Sequence, residues 1–160
     1  MIQLTHQQNE NVQEALYYRM AANKVRMQNL SYKPILCLDF DGVLHSYSSG
    51  WLGARNIPDA PVEGSIEWLR ELLHPEDKFA YPSPDFKVCI YSSRNKYLFG
   101  IYAMKKWLRK HGLTVSEINC ISFPFFKPNA FLQIDDRAIT FRGKFPSADK
   151  MLCFKPWYNS

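Results

Sequence analysis

Cysteine is scarce and scattered in this chain. Cys37, Cys89, Cys120 and Cys153 form no Cys-x-x-Cys pair and no metal-ligand spacing, so nothing suggests a zinc site or a disulfide framework. Three of them fall in predicted buried strands, where a thiol behaves as a small apolar side chain. Reduced thiols and a cytoplasmic setting are expected. No apolar run approaches a membrane span, and the first residues have neither a cationic start nor a signal-peptide core. A soluble, unexported chain is the expectation. Internal repeats and low-complexity tracts are also missing.

What is present is ordinary in proportion. Apolar residues make up 46% and charged ones 22% of 160 residues, enough for one domain with a proper core. Aromatics reach 15%, which fits a well-filled core or an aromatic binding surface. The formal charge is +5, a balance that suits anionic substrates or nucleic acid without requiring either. Lys105, Lys106, Arg109, Lys110 and His111 crowd one helix-like stretch, which reads as a solvated face.

Residues 1–33 contain no Gly and no Pro. Ala15, Tyr18, Ala22 and Val25 recur at helical spacing, predicting a helix over 6–29 that packs on a domain formed by residues 34–160. In that domain Ile35–Leu38 does not alternate with polar residues, so it reads as a strand buried on both faces. A helix carrying Ile66, Leu69, Leu72 and Leu73 follows and closes at Pro75, with a loop over 75–85. Lys87–Tyr91 is a second strand. The next helix carries Ile101, Met104 and Leu108 and stops at Gly112. Ile118–Ser122 and Ala130–Ile134 read as further strands, and Met151–Phe154 as a short fifth. Strands alternating with helices predict an α/β fold with a mainly parallel sheet, whose ligands bind beyond the C-terminal strand ends.

Three polar clusters stand at those ends: Asp39 and Asp41, Ser92-Ser93-Arg94, and Asp135-Asp136. Asp-x-Asp-Gly alone is a common turn, but three clusters at equivalent positions are hard to dismiss as chance. Carboxylates crowded at a buried strand end need a cation, and a hard divalent metal is the natural candidate.

The order Asp39-Phe40-Asp41-Gly42, then Ser92, then Lys127, then Asp135-Asp136 resembles the haloacid dehalogenase (HAD) superfamily of phosphohydrolases over about residues 34–137. Ser92-Ser93-Arg94 and Asp135-Asp136-Arg137 are most similar to the phosphatase half of polynucleotide kinase-phosphatases. No Gly-x-x-x-x-Gly-Lys-Ser/Thr of a kinase half occurs. The resemblance implies a Rossmann-like three-layer sandwich with minimal or no cap. It implies that Asp39 attacks phosphorus and that Asp41 acts as acid and base. It implies Mg²⁺ held by Asp39, the Asp41 carbonyl, Asp135 and Asp136, and phosphate bound by Ser92, Ser93, Arg94 and Lys127. Only residues 123–129 separate the third and fourth predicted strands, short for a parallel crossover. Either the third strand is misplaced or this link is shortened relative to the family; Lys127 remains the favoured charge, the alternative being a surface lysine with Arg94 or Arg137 supplying it. His45 reads as bordering the site or as a packed loop histidine. Tyr47 and Trp51 lie on the 45–63 loop, where either can stack on a base or anchor the loop. Candidate substrates are nucleic-acid ends, nucleotides or other phosphate monoesters. The other readings are a small-molecule nucleotidase and a catalytically idle domain that binds phosphate ends or a protein partner.

Overall fold

The computed structural model describes Glu14, Tyr17 and residues 33–73, 86–140 and 142–159. The chain divides into two units, residues 1–32 and 33–160. Apart from Glu14 and Tyr17, which are helical, the helix expected over 6–29 lies outside the described residues, as do its packing and the loop expected over 75–85.

In chain order the described elements are β1 (Ile35–Leu38), α1 (Ser65–Leu73), β2 (Lys87–Ile90), a 3-10 turn (Ser93–Lys96), α2 (Leu98–Lys110), α3 (Val115–Asn119), β3 (Leu132–Ile134), α4 (Ala148–Leu152) and a second 3-10 turn (Trp157–Asn159). The strands form one parallel sheet in the order β2-β1-β3, so the fold is mixed α/β around a small three-stranded sheet. β1 is apolar because it is the middle strand: Leu36, Cys37 and Leu38 are all buried. In the register, Leu38 lies opposite Ile90 on one side and Ile134 on the other. All three strands therefore end in one row. Asp39, Ser92 and Asp135 follow that row at a single edge of the sheet.

Parallel neighbours need crossovers, and the helices supply them. α1 links β1 to β2 and buries Ile66 and Leu69; α2 and α3 lie between β2 and β3. α2 buries Met104, Trp107 and Leu108 in the same core as Leu36, Leu38, Val88 and Ile90. Each such side chain, fully buried, contributes about 1.5–3 kcal/mol. Among the described residues no helix is long and apolar enough to cross a membrane.

Two expected strands are helices. Residues 118–119 instead end α3, which opens with a capping box, and a turn leads on to Ser122. Thr114 Oγ1 accepts from the Glu117 amide (3.2 Å) and Glu117 Oε2 accepts from the Thr114 amide (2.6 Å). Ile118 in α3 and Ile121 in the bend after it are still buried. Only Ser122 keeps the expected pairing, as an isolated parallel bridge to Cys89. The chain from Ser122 to β3 is thus no crossover between two full strands, which removes the difficulty of its length. The expected strand over 151–154 gives way to α4, begun by Ser147, whose Oγ accepts from the Lys150 amide (3.3 Å).

Candidate active site

The row of strand ends gathers three carboxylates. One oxygen from each of Asp39, Asp135 and Asp136 lies within 4.8 Å of the others. Asp135 is oriented at both oxygens, Oδ1 accepting from the Arg137 amide (2.8 Å) and Oδ2 from Gln133 Nε2 (2.9 Å). Asp136 differs. Its side chain is 1% exposed, yet neither oxygen accepts a hydrogen bond, and Arg137 Nε is 3.6 Å from Oδ2. A buried carboxylate without a donor is costly unless a cation completes it. Asp39 accepts from the Phe40 amide (2.7 Å). Burial first, then the charges of Asp135, Asp136 and Asp41, push its carboxyl up to about 7.

This has a measurable consequence. A carboxyl raised from 3.8 to about 7 contributes stability at low pH that is lost as pH rises through 7, because the metal-free folded state then carries crowded charge. A divalent cation at this trio would bind the ionised form. The gain in unfolding temperature on adding Mg²⁺ is therefore expected to be larger at pH 8 than at pH 6. A gain independent of pH would contradict this electrostatic picture of Asp39.

Asp41 does not join the carboxylate trio. It is held by Arg94, which is 0% exposed: Nε lies 2.9 Å from Oδ2 and 3.1 Å from Oδ1, and Nη2 donates to Oδ1 (3.0 Å). His45, also fully buried, has Nδ1 2.9 Å from Asp41 Oδ1, while its Nε2 accepts from the Asp59 amide (3.2 Å). Arg94 Nη1 reaches the carbonyls of Gly53 (2.9 Å), Ala54 (3.1 Å) and Asn56 (3.2 Å), and the Trp51 ring lies 4.8 Å from the guanidinium. Arg94 thus ties the 45–61 loop to Asp41. Trp107 Nε1, donating to the Asp59 carbonyl (3.0 Å), fastens the same loop to α2. Arg94, expected to bind phosphate, is a structural clamp on Asp41.

Asp39, Asp41, Tyr47, Ser92, Ser93, Asp136 and Arg137 line a pocket of about 200 Å³. Ser92 and Ser93 stand where expected. Ser92 caps the first 3-10 turn in a reciprocal box with Asn95, whose side-chain nitrogen donates to the carbonyls of Ile90 and Pro124 (2.9 Å each). The signal for that box, Ser-x-x-Asn after an apolar run, is readable in the sequence. Lys127 is exposed and is not among the lining residues, although its charge reaches the Cys37 thiol that also feels Asp39 and Asp135. The cation in the wall is Arg137. Of the two loop aromatics, Tyr47 lines the pocket and Trp51 covers Arg94.

Gly42 joins the two halves of the site. Its φ is +82°, a left-handed conformation that costs other residues about 1–2 kcal/mol, and a Cβ there would lie 2.6 Å from Asp136 Cγ and Oδ2. Gly42→Ala is expected to displace Asp136, lowering stability by about that amount and weakening Mg²⁺ binding in a thermal-shift titration. Unchanged Mg²⁺ affinity in that variant would separate Asp136 from cation binding.

Compared with family models, curated proteins and solved structures, the chain has no match.

Proposed function

We propose that this chain is a divalent-metal-dependent phosphohydrolase that cleaves phosphate monoesters through an aspartyl-phosphate on Asp39, on a Rossmann-like HAD-type fold with little or no cap. One observation carries the reading. Three parallel strands ending in register bring Asp39, Asp135 and Asp136 together beside a pocket that also holds Asp41, two serines and an arginine.

The residues fit a hard cation. All three donors are carboxylates, and Asp136 has both oxygens buried without a hydrogen bond. A few carboxylates with room for water and phosphate oxygens suit Mg²⁺. Asp39, Asp135 and Asp136 would hold Mg²⁺, whose positive charge would let an anionic nucleophile meet an anionic phosphate. The remaining chemistry belongs to the chain. Asp39 attacks phosphorus, and the bond to the leaving oxygen breaks. Ser92 and Ser93 offer hydroxyls, and Arg137 a cation, to the phosphate oxygens. In its protonated form Asp41 gives that proton to the leaving oxygen, becomes the carboxylate that pairs with Arg94, and takes a proton back from the water that hydrolyses the intermediate. Its Oδ2 takes a hydrogen bond only from Arg94 Nε, against three contacts at Oδ1, so Oδ2 has capacity to exchange that proton.

The substrate class favoured is a nucleotide or polynucleotide phosphate end. Arg137 and Tyr47 in the wall, the formal charge of +5 and the loop-sized 45–63 segment support access by a large anionic substrate. Two cysteines, Cys37 and Cys89, are buried rather than the three expected, Cys120 and Cys153 being exposed; all four are free thiols, which suits a reducing, cytoplasmic setting. The test is hydrolysis of an aryl phosphate by the full chain with Mg²⁺, with EDTA, and with Ca²⁺. Turnover with Mg²⁺, silence with EDTA and poor replacement by Ca²⁺ are expected. Full activity in EDTA, or none under any metal, would overturn the reading.

A further inference from the structure

We propose that His45 is a positioning residue for Asp41, whose hydrogen bond to Oδ1 leaves Oδ2 as the oxygen that hands a proton to the leaving group. This role rests on the phosphohydrolase reading and adds to it a residue behind the reacting groups. His45 is fully buried and is not among the residues that line the pocket, so it reaches the reaction only through a neighbour.

Backbone and packing hold the ring. The His45 amide donates to the Phe40 carbonyl (2.9 Å), and the Gly42 amide donates to the His45 carbonyl (2.8 Å), which folds the chain back beside Asp41. Phe40 stacks on the imidazole at 5.8 Å, while Trp107 and Tyr47 meet it edge-on at 5.7 Å and 6.1 Å. A buried imidazole among aromatics would be ordinary packing if both nitrogens met only backbone. One does not: Nδ1 lies 2.9 Å from Asp41 Oδ1.

The other nitrogen decides where the ring proton sits. Nε2 accepts from the Asp59 amide (3.2 Å), so the neutral ring carries its proton on Nδ1, towards Asp41. The Asp59 carboxylate, with Oδ2 3.3 Å from Nε2, accepts from the Ser49 amide at Oδ2 (3.0 Å) and from the Ser49 hydroxyl at Oδ1 (2.6 Å). An imidazolium paired with that carboxylate would keep the Nδ1 proton too. Either form of the ring donates to Asp41 Oδ1.

Oδ1 also accepts from Arg94 Nη2 (3.0 Å) and lies 3.1 Å from Arg94 Nε. With His45 added, an acidic proton on Oδ1 would meet N–H donors. Oδ2 has only Arg94 Nε at 2.9 Å and keeps a lone pair for the proton. In the transfer the P–O bond breaks with its electron pair on the leaving oxygen, which takes the proton from Oδ2 and leaves Asp41 a carboxylate. Removing His45 opens Oδ1 as a competing seat for that proton.

A proton donor matters most when the leaving oxygen is strongly basic. The experiment compares kcat/KM with Mg²⁺ for glycerol phosphate and for a dinitrophenyl phosphate, whose leaving oxygen departs without a proton. It uses the full chain, His45→Phe, which keeps a flat ring without a donor, and His45→Asn, which returns an amide donor near the Nδ1 position. Thermal unfolding verifies that each variant folds. The ratio of the glycerol to the dinitrophenyl value is expected to fall about tenfold in His45→Phe, part of the roughly 10²–10⁴-fold that a positioned acid contributes. It is expected to recover in His45→Asn. If His45→Phe does not fold, His45→Gln replaces it with the same fall expected, because its amide reaches the Nε2 position instead. Equal losses for the two esters would reduce His45 to packing and overturn the inference, as would a ratio that falls just as far in His45→Asn. A parent that turns over neither ester would overturn the phosphohydrolase reading and this role with it. An active parent whose ratio is unchanged in the variants would overturn the role of His45 alone.

Discussion

Asp39→Asn is expected to lower turnover by about four orders of magnitude or more, in line with the removal of other nucleophiles, while the fold survives. The amide keeps the shape of the side chain but removes the nucleophile and one charge from the cation's ligands. The same change relieves crowding. Burial and the charges of Asp135, Asp136 and Asp41 hold the Asp39 carboxyl up at about 7, so at pH 8 the metal-free parent keeps its charge at a cost. The metal-free variant is therefore expected to unfold at a temperature equal to or above that of the parent at pH 8, and to gain less from Mg²⁺. Steady-state kinetics and thermal unfolding on one preparation check both halves. Activity near the parental level would remove Asp39 from the mechanism. A strongly destabilised metal-free variant would contradict the account of its charge.

The largest loss of stability is expected at Arg94. Its guanidinium is fully buried, pairs with Asp41 and binds three backbone carbonyls of the 45–61 loop. Arg94→Ala leaves Asp41 as a buried charge without its arginine and frees the loop at once, a loss of about 3–5 kcal/mol in chemical denaturation. Arg94→Lys is expected to recover little. One ammonium cannot reproduce a planar fork that serves a carboxylate and three carbonyls together. Stability within about 1 kcal/mol of the parent in either variant would reduce the clamp to the worth of a surface ion pair.

These two residues also mark what the sequence made legible. Asp39, Asp41, Ser92, Ser93, Asp135 and Asp136 were readable as one site because each follows an apolar run, and parallel strands in register end together. The meeting of Asp39, Asp135 and Asp136 follows from that rule alone. The role of Arg94 does not. A basic residue beside a serine expected to bind phosphate looks like a phosphate ligand until its donors are counted, and the carbonyls it meets lie on a loop some forty residues away. Lys127 shows the same limit from the other side. Chain order put it near the site, but order does not place a side chain in a wall, and Arg137 stands there instead. The strand expected over 118–122 failed because apolar Ile118 suits either geometry, and the Thr114–Glu117 box decides for a helix that ends at Asn119, with Ile121 buried from the bend beyond it. Trp157 and Tyr158 gave no local signal. Their positions follow from a glycine far away in the chain that leaves room for them.

The central claim, that Asp39 takes a phosphoryl group from a substrate, is tested most directly by rapid acid quench. The full chain is mixed with Mg²⁺ and an aryl phosphate, quenched within one turnover, digested and mapped by mass spectrometry. The expected result is a phosphoryl group on the peptide bearing Asp39, lost on treatment with hydroxylamine and not formed in EDTA. Hydrolysis that proceeds with no such adduct, or an adduct on any other residue, would contradict it.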